Sequence, residues 1–331
     1  MAGMFPKDEL IATMRCQDGA LLPCKLDWPI QKICYWSGQP TDTRPAGATS
    51  WEDSWGVGWR KESPDPALLP FPVQHPLDPN LEELDRHPWP DPHDEQLFVD
   101  LLNRRHACHH LFVGEHPFAL YERAWLLAGM PNLFMAMADH PTRVEELLDR
   151  IGEFEVQIAR QYTQLGVEAA WISDDYGMSS GLLFSPQQWR RFIRPQLAKL
   201  VDIYRSAGAI VILHSCGNIT GLVDDFLELG IDVLDPIQPT CNRLDWIRER
   251  TDGRICLCGG VESSMLLADD EQRTSSQTHD RVVRLGRRGG YIVGPDDDWD
   301  FPSAARGAML GAVEHHREQI RRERSRRSDN G

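Results

Sequence analysis

From about His106 onward, short apolar runs alternate with longer segments whose apolar residues recur at helical spacing. The runs at 108–113, 169–172, 209–213, 233–237, 254–258 and 290–293 have the length and β-branched content of strands buried on both faces. Between them, Val144, Leu147, Leu148, Ile151, Phe154 and Ile158 form one stripe of a long helix that Pro141 opens and Gly166 closes. Ser185 before Pro186 reads as an N-cap with proline in the first helical position, and that helix is expected to run to about Ser206. Further helices are predicted at 121–130, 219–229, 244–250, across most of 263–286, and from Pro302 onward. Strand then helix, repeated with short connections, predicts a parallel sheet. No Gly-x-Gly-x-x-Gly follows an early strand and no Walker loop occurs, which argues against a dinucleotide-type sheet.

The polar residues cluster directly after the strands: Asp174 and Asp175, His214 and Cys216, Gln238, Cys258 and Glu262, Asp296. A (β/α)8 TIM barrel gathers its active site at that C-terminal face. The expected fold is therefore α/β, a (β/α)8 barrel closed by a first strand over 20–28.

The first hundred residues lack this alternation. A short amphipathic helix is expected over 5–17, and then proline, glycine and tryptophan dominate, as in Trp51-Glu52-Asp53-Ser54-Trp55-Gly56-Val57-Gly58-Trp59. The stretch 64–92 is dense in proline and acid, and too long for an ordinary loop. The whole of 38–92 is expected to wrap over the barrel mouth. Trp55 and Trp59, four apart, would share a face on one helical turn and wall the pocket. The reading is one domain over 1–331: strand and lid segment at 1–105, barrel core at 106–316, charged tail at 317–331.

Charge narrows the function. The formal charge of −15 over 331 residues gives little support for binding nucleic acid or an anionic membrane. No apolar stretch is long enough to span a bilayer, and the start lacks a basic region followed by an apolar core. A cytoplasmic protein is expected, with its eight cysteines as reduced thiols, some of them ligands.

His214 and Cys216 stand two apart where an apolar strand gives way to Gly217 and Asn218. On an extended strand such residues share a face, about 6–7 Å apart along the chain. A slight bend would let an imidazole and a thiolate share one metal, and zinc accepts that mixture. The competing reading is a small buried thiol beside a hydrogen-bonded strand-end histidine.

Several motifs occur in a fixed order: Asp174-Asp175-x-Gly177, Ser185-Pro186-x-x-Trp189-Arg190-x-x-Ile193-x-Pro195, His214-Ser215-Cys216-Gly217-Asn218, Pro236-Ile237-Gln238-Pro239, Gly259-Gly260-Val261-Glu262 and Gly289-Gly290-Tyr291-Ile292. Together they resemble the uroporphyrinogen decarboxylase superfamily, in the branch related to corrinoid-dependent methyltransferases. The resemblance implies a barrel and a zinc ion held by a His-x-Cys pair and a distant cysteine. It also implies methyl transfer between a small methylated substrate and a corrinoid on a partner protein, or a thiol. The decarboxylases' N-terminal arginine-rich motif is absent from 22–30. His214 and Cys216 match the pair. The cysteine that many relatives carry near the last strand is missing from 291–297, so Cys258 is favoured as third ligand, with Cys256 next and Cys241 a further option. Asp174, Asp175 and Glu262 are candidates for fourth ligand, orienter of His214 or general acid. Each could equally cap a helix or bond loop amides. Trp55, Trp59, Gln238 and Tyr176 are assigned to the substrate pocket. The alternative function is a metal-free lyase or decarboxylase with His214 as the acid–base residue. The oligomeric state stays open, a homodimer included.

Other residues get plain readings. His106, His109 and His110 are structural, and Met130, Met135 and Met137 pack a core. Arg190, Arg191 and Arg194 pair with acids, His315 and His316 are solvated, and Asp296, Asp297 and Asp298 form an acidic rim.

Overall fold

The computed structural model describes residues 5–18, 20–35, 44–63, 69–94, 109–286 and 289–328. Seven strands form one curled, wholly parallel sheet in the order β1 (Ile30–Cys34), β5 (Leu111–His116), β6 (Ala169–Ser173), β7 (Ile210–His214), β8 (Val233–Ile237), β9 (Cys256–Val261) and β10 (Tyr291–Pro295). The first strand is therefore not the one expected. β1 starts at Ile30, and the 20–28 stretch contributes only a parallel bridge from Cys24 to Val293 beside β10. Lys25 N–H donates to the Val293 carbonyl at 2.9 Å, and Val293 N–H donates to Pro23 at 3.1 Å. The Cys24-Asp27 turn and Pro29 interrupt any longer ladder.

Residues two apart divide the sheet into two faces. Val113, Trp171, Ile212, Val233, Cys256, Cys258 and Ile292 pack inward, where Phe5, Leu10 and Met14 at α1 (Lys7–Met14) join them. Ala170, Ile172, Val211, Leu213, Leu234, Leu257 and Val293 pack outward against the helices. Those helices are α2 (Tyr121–Ala128), α3 (Met130–Asp139), α4 (Pro141–Gln164), α5 (Pro186–Phe192), α6 (Arg194–Ser206), α7 (Val223–Leu229), α8 (Leu244–Thr251), α9 (Ser263–Leu267), α10 (Glu271–Leu285) and α11 (Ser303–Ser328). Ser185 makes the predicted cap, as a full capping box with Gln188. The single helix expected after it divides at Ile193, because Pro195 offers no N–H to the preceding turn.

The tryptophan segment forms a small antiparallel sheet of β2 (Ser50–Glu52), β3 (Gly58–Arg60) and β4 (Phe71–Gln74). This corrects the expectation of a helical turn. The Asp53 carboxylate instead organises a hairpin, accepting from Trp55 N–H, Val57 N–H and the Trp59 indole. Trp55 is fully buried, edge-on to Phe154 of α4 at 4.7 Å, with Arg123 over its ring. Trp59 lies 6.4 Å from Phe118, in the loop after β5. The chain then runs along the helices, with Leu77 N–H on Leu127 and Gln161 on the Pro92 carbonyl. Residues 38–43 and 64–68 of the expected mouth cover lie outside the described residues, as do His106 and Cys108.

Arg190, Arg191 and Arg194 do pair with acids, namely Asp225, Glu145 and Glu228. Met137 is buried, but Met135 is exposed. α11 continues through the charged tail, whose residues 321–326 are exposed, but Arg317 is buried, gripping Asp27 at 2.7 and 3.0 Å and the Leu22 carbonyl. His316 is likewise buried, 3.0 Å from His279 of α10.

Candidate metal centre

β7 ends at His214, opposite Ser173 of β6 and Asp235 of β8. The loops after these strands lock together beyond the sheet. Tyr176 N–H donates to the Ser215 hydroxyl at 2.9 Å, and Gly217 N–H to the Gln238 side chain at 2.6 Å. Gly217 has φ +81°, and a Cβ on Gly177 would stand 2.5 Å from the Asn218 nitrogen, so only glycines let the loops approach this closely.

This packing places three side chains at one point. His214 Nε2 lies 3.7 Å from Cys216 Sγ, and an Asp175 oxygen completes a group whose ligand atoms all lie within 4.8 Å of one another. Asp175 also accepts from Cys216 N–H at 2.7 Å, which fixes the thiol's backbone. The other imidazole nitrogen, Nδ1, contacts Asp235 at 2.9 Å. Asp235 is fully buried against Lys25 Nζ at 3.0 Å, and Lys25 reaches Asp298 at 3.3 Å. Trp171 stacks on His214 with ring centroids 6.1 Å apart, and Lys32 Nζ sits 3.5 Å over the indole.

Burial lowers the proton affinity of His214, but its bond to Asp235 and the carboxylate charge outweigh this and raise it. Burial acts on Asp235 in the opposite sense, yet Lys25 holds it well below the usual carboxylate range. The Cys216 thiol is pushed well above its ordinary value, first by burial and then by the charges of Asp175, Asp297, Asp235 and Glu122. A half-buried nitrogen, sulfur and oxygen donor set inside a ring of carboxylates fits a divalent cation, which would reverse the penalty on the thiolate. The geometry therefore fits zinc.

The predicted residues divide. The structure brings together His214, Cys216 and Asp175, and leaves the others apart. Cys258 and Cys256 are buried on the inner face of the curled sheet. Burial, and then the Asp235 charge, holds the Cys258 thiol well above its ordinary value, and Cys258 is not in the donor group, whereas Cys216 Sγ lies on the Nε2 side of His214. Cys241 lies in a loop against Thr240. Asp174 caps α2, accepting from Tyr121 N–H and Glu122 N–H at 2.9 and 2.8 Å. Burial pushes it up to about 7 despite these bonds. Glu262 turns outward to Gln277 of α10, and Asp296 caps α9 through Ser263. Tyr176, Trp55 and Trp59, expected at the substrate pocket, are all buried. Tyr176 is fully buried among Phe184, Trp189 and Phe226, and both tryptophans sit in the outer core. Gln238 pins the Gly217 loop.

Four residues at this centre went unread in the sequence. Asp235 sits in an apolar strand two residues before Ile237, and an acid on an inward position of such a strand was the available signal. Lys25 and Trp171 had no comparable marker. Glu122, raised by burial and by the charges of Asp175 and Asp174, sits in a helix start that looked routine.

The uroporphyrinogen decarboxylase (URO-D) family model matches residues 123–296, more than half of the chain and all three members of the ligand group. The chain belongs to the uroporphyrinogen decarboxylase family. A curated uroporphyrinogen decarboxylase from Thermus thermophilus is 30% identical over 122 residues, 37% of this chain. That match spans only a third of the relative's own length. Among solved structures, a methyltransferase from Methanosarcina mazei aligns over 95% of this chain and 99% of its own, with TM-score 0.71 and 17% identity. This URO-D family chain thus shares its fold with a methyltransferase over nearly its whole length. Among the described residues no helix is long and apolar enough to cross a membrane, and all seven cysteines are free.

Proposed function

We propose that this URO-D family member is a zinc-dependent methyltransferase, moving a methyl group between a small methylated substrate and a corrinoid or thiol acceptor. The observation that carries the proposal is the convergence of His214 Nε2, Cys216 Sγ and Asp175 at the C-terminal ends of the strands. Asp175, His214 and Cys216 would hold the metal. When bound there, zinc stabilises a thiolate or polarises an ether oxygen whose methyl group is to leave. The residues of the chain supply the rest. Asp235 accepts the His214 Nδ1 proton and leaves Nε2 facing Cys216. Trp171, stacked on His214, supplies the aromatic wall first assigned to Trp55 and Trp59. Asp174 fixes the start of α2 and so the position of Glu122 on the rim.

A corrinoid protein is the proposed partner and the cytoplasm the proposed compartment. Glu122, Asp175 and Asp297 surround Cys216 with negative charge, so a porphyrinogen bearing many carboxylates is disfavoured. The similarity to the Thermus decarboxylase supports a second reading, metal-free decarboxylation with His214 as the acid–base residue.

The test is methyl transfer from methylcobalamin to 2-mercaptoethanol by zinc-loaded protein. The thiolate sulfur takes the methyl group and the cobalt keeps the electron pair. Thioether formation that requires both zinc and Cys216 is expected. Full activity on a carboxylate substrate by zinc-free protein would instead establish the second reading.

A further inference from the structure

The N-terminal segment is tied to this centre by one side chain. Lys25 is anchored by its own N–H to β10, and its ammonium reaches the Asp235 oxygen facing away from His214. Asp235 binds Lys25 through Oδ1 and His214 through Oδ2, so the carboxylate bridges cation and imidazole. The passage of the lysine stem is cut to fit. A Cβ on Gly294 of β10 would stand 2.5 Å from Lys25 Cγ and 2.7 Å from its Cβ and Cδ. Side-chain exposure is 2% for Lys25 and 0% for Asp235. An ion pair buried this deeply gains little net stability, because desolvation offsets the attraction. Stability alone is a poor account of why a lysine is threaded past a glycine to this carboxylate.

We infer that Lys25 is a positioning residue for the metal centre, fixing the Asp235 carboxylate so that His214 keeps its Nδ1 proton and presents Nε2 to the metal. This rests on the proposed zinc site. Orienting partners behind a ligating histidine alter metal affinity by about 10–100-fold. Lys25 would thus make the N-terminal segment part of the centre, although none of its described residues joins the donor group. The rival account is mechanical: Lys25 only tethers the loop after β10 through Asp298, which is itself 67% exposed.

The experiment measures zinc affinity by chelator competition and the His214 tautomer from imidazole nitrogen NMR shifts of metal-free protein. Lys25→Met and Gly294→Ala should each weaken zinc binding at least tenfold and admit the Nε2-protonated tautomer. Asp298→Asn should change neither. Unchanged affinity and tautomer in the first two, or equal loss in Asp298→Asn, would overturn the inference. If Lys25→Met fails to fold, the double variant Lys25→Met/Asp235→Asn leaves no unpaired buried charge. Its zinc affinity should equal that of Asp235→Asn, and a further tenfold loss would show that Lys25 does not act through Asp235. If the native protein binds no zinc, the proposed function fails, whereas the tautomer measurement still decides the role of Lys25.

Discussion

At the scale of the residue, the donor group at the strand ends consists of one imidazole, one thiol and the Asp175 carboxylate. His214 and Cys216 were legible because two donors share a strand face two residues apart. The cysteine expected to join them, Cys258, lies on the inner face of the curled sheet. Its thiol is held high by burial and by the Asp235 charge, and it is not among the donors that converge with His214 and Cys216. Asp175 reaches the donor side through a loop contact of 2.7 Å to the Cys216 amide, and no spacing rule encodes such a contact. Asp175→Asn should therefore lower zinc affinity tenfold or more, while Cys258→Ser should stay within about threefold of the native chain. Chelator competition on both variants reads this directly. Loss in Cys258→Ser with retention in Asp175→Asn would restore the cysteine.

At the scale of the element, the alternating strands and helices were readable from periodicity, and Val233–Ile237 was predicted at its observed bounds. The misreadings fall where one residue redirects a chain. Pro195 divides a helix, Pro29 and the turn before it delay β1, and Asp53 turns a supposed helical pair into a hairpin. Trp55 shows the consequence. It fills the gap between hairpin and α4. Trp55→Ala should cost about 3–5 kcal/mol of stability, the usual range for emptying a buried aromatic site. Zinc content per folded chain should stay unchanged. Denaturant unfolding alongside metal analysis checks both, and a variant of native stability that has lost its zinc would return Trp55 to the pocket.

At the scale of the whole molecule, a parallel sheet with its polar residues at one end was legible because βα repetition leaves few alternatives. Its seven-stranded ladder and the route of the N-terminal segment were not, since both depend on contacts across hundreds of residues, such as Arg317 on Asp27 and Lys25 on Asp235. The account's central claim is a zinc ion held by one thiolate, one imidazole and one carboxylate at that polar end. Zinc X-ray absorption of the purified, chelator-free protein tests it most directly. The predicted spectrum has a single sulfur at about 2.3 Å and the remaining ligands nitrogen or oxygen at about 2.0–2.2 Å. Two sulfurs in the shell, or no zinc in the protein, would contradict it.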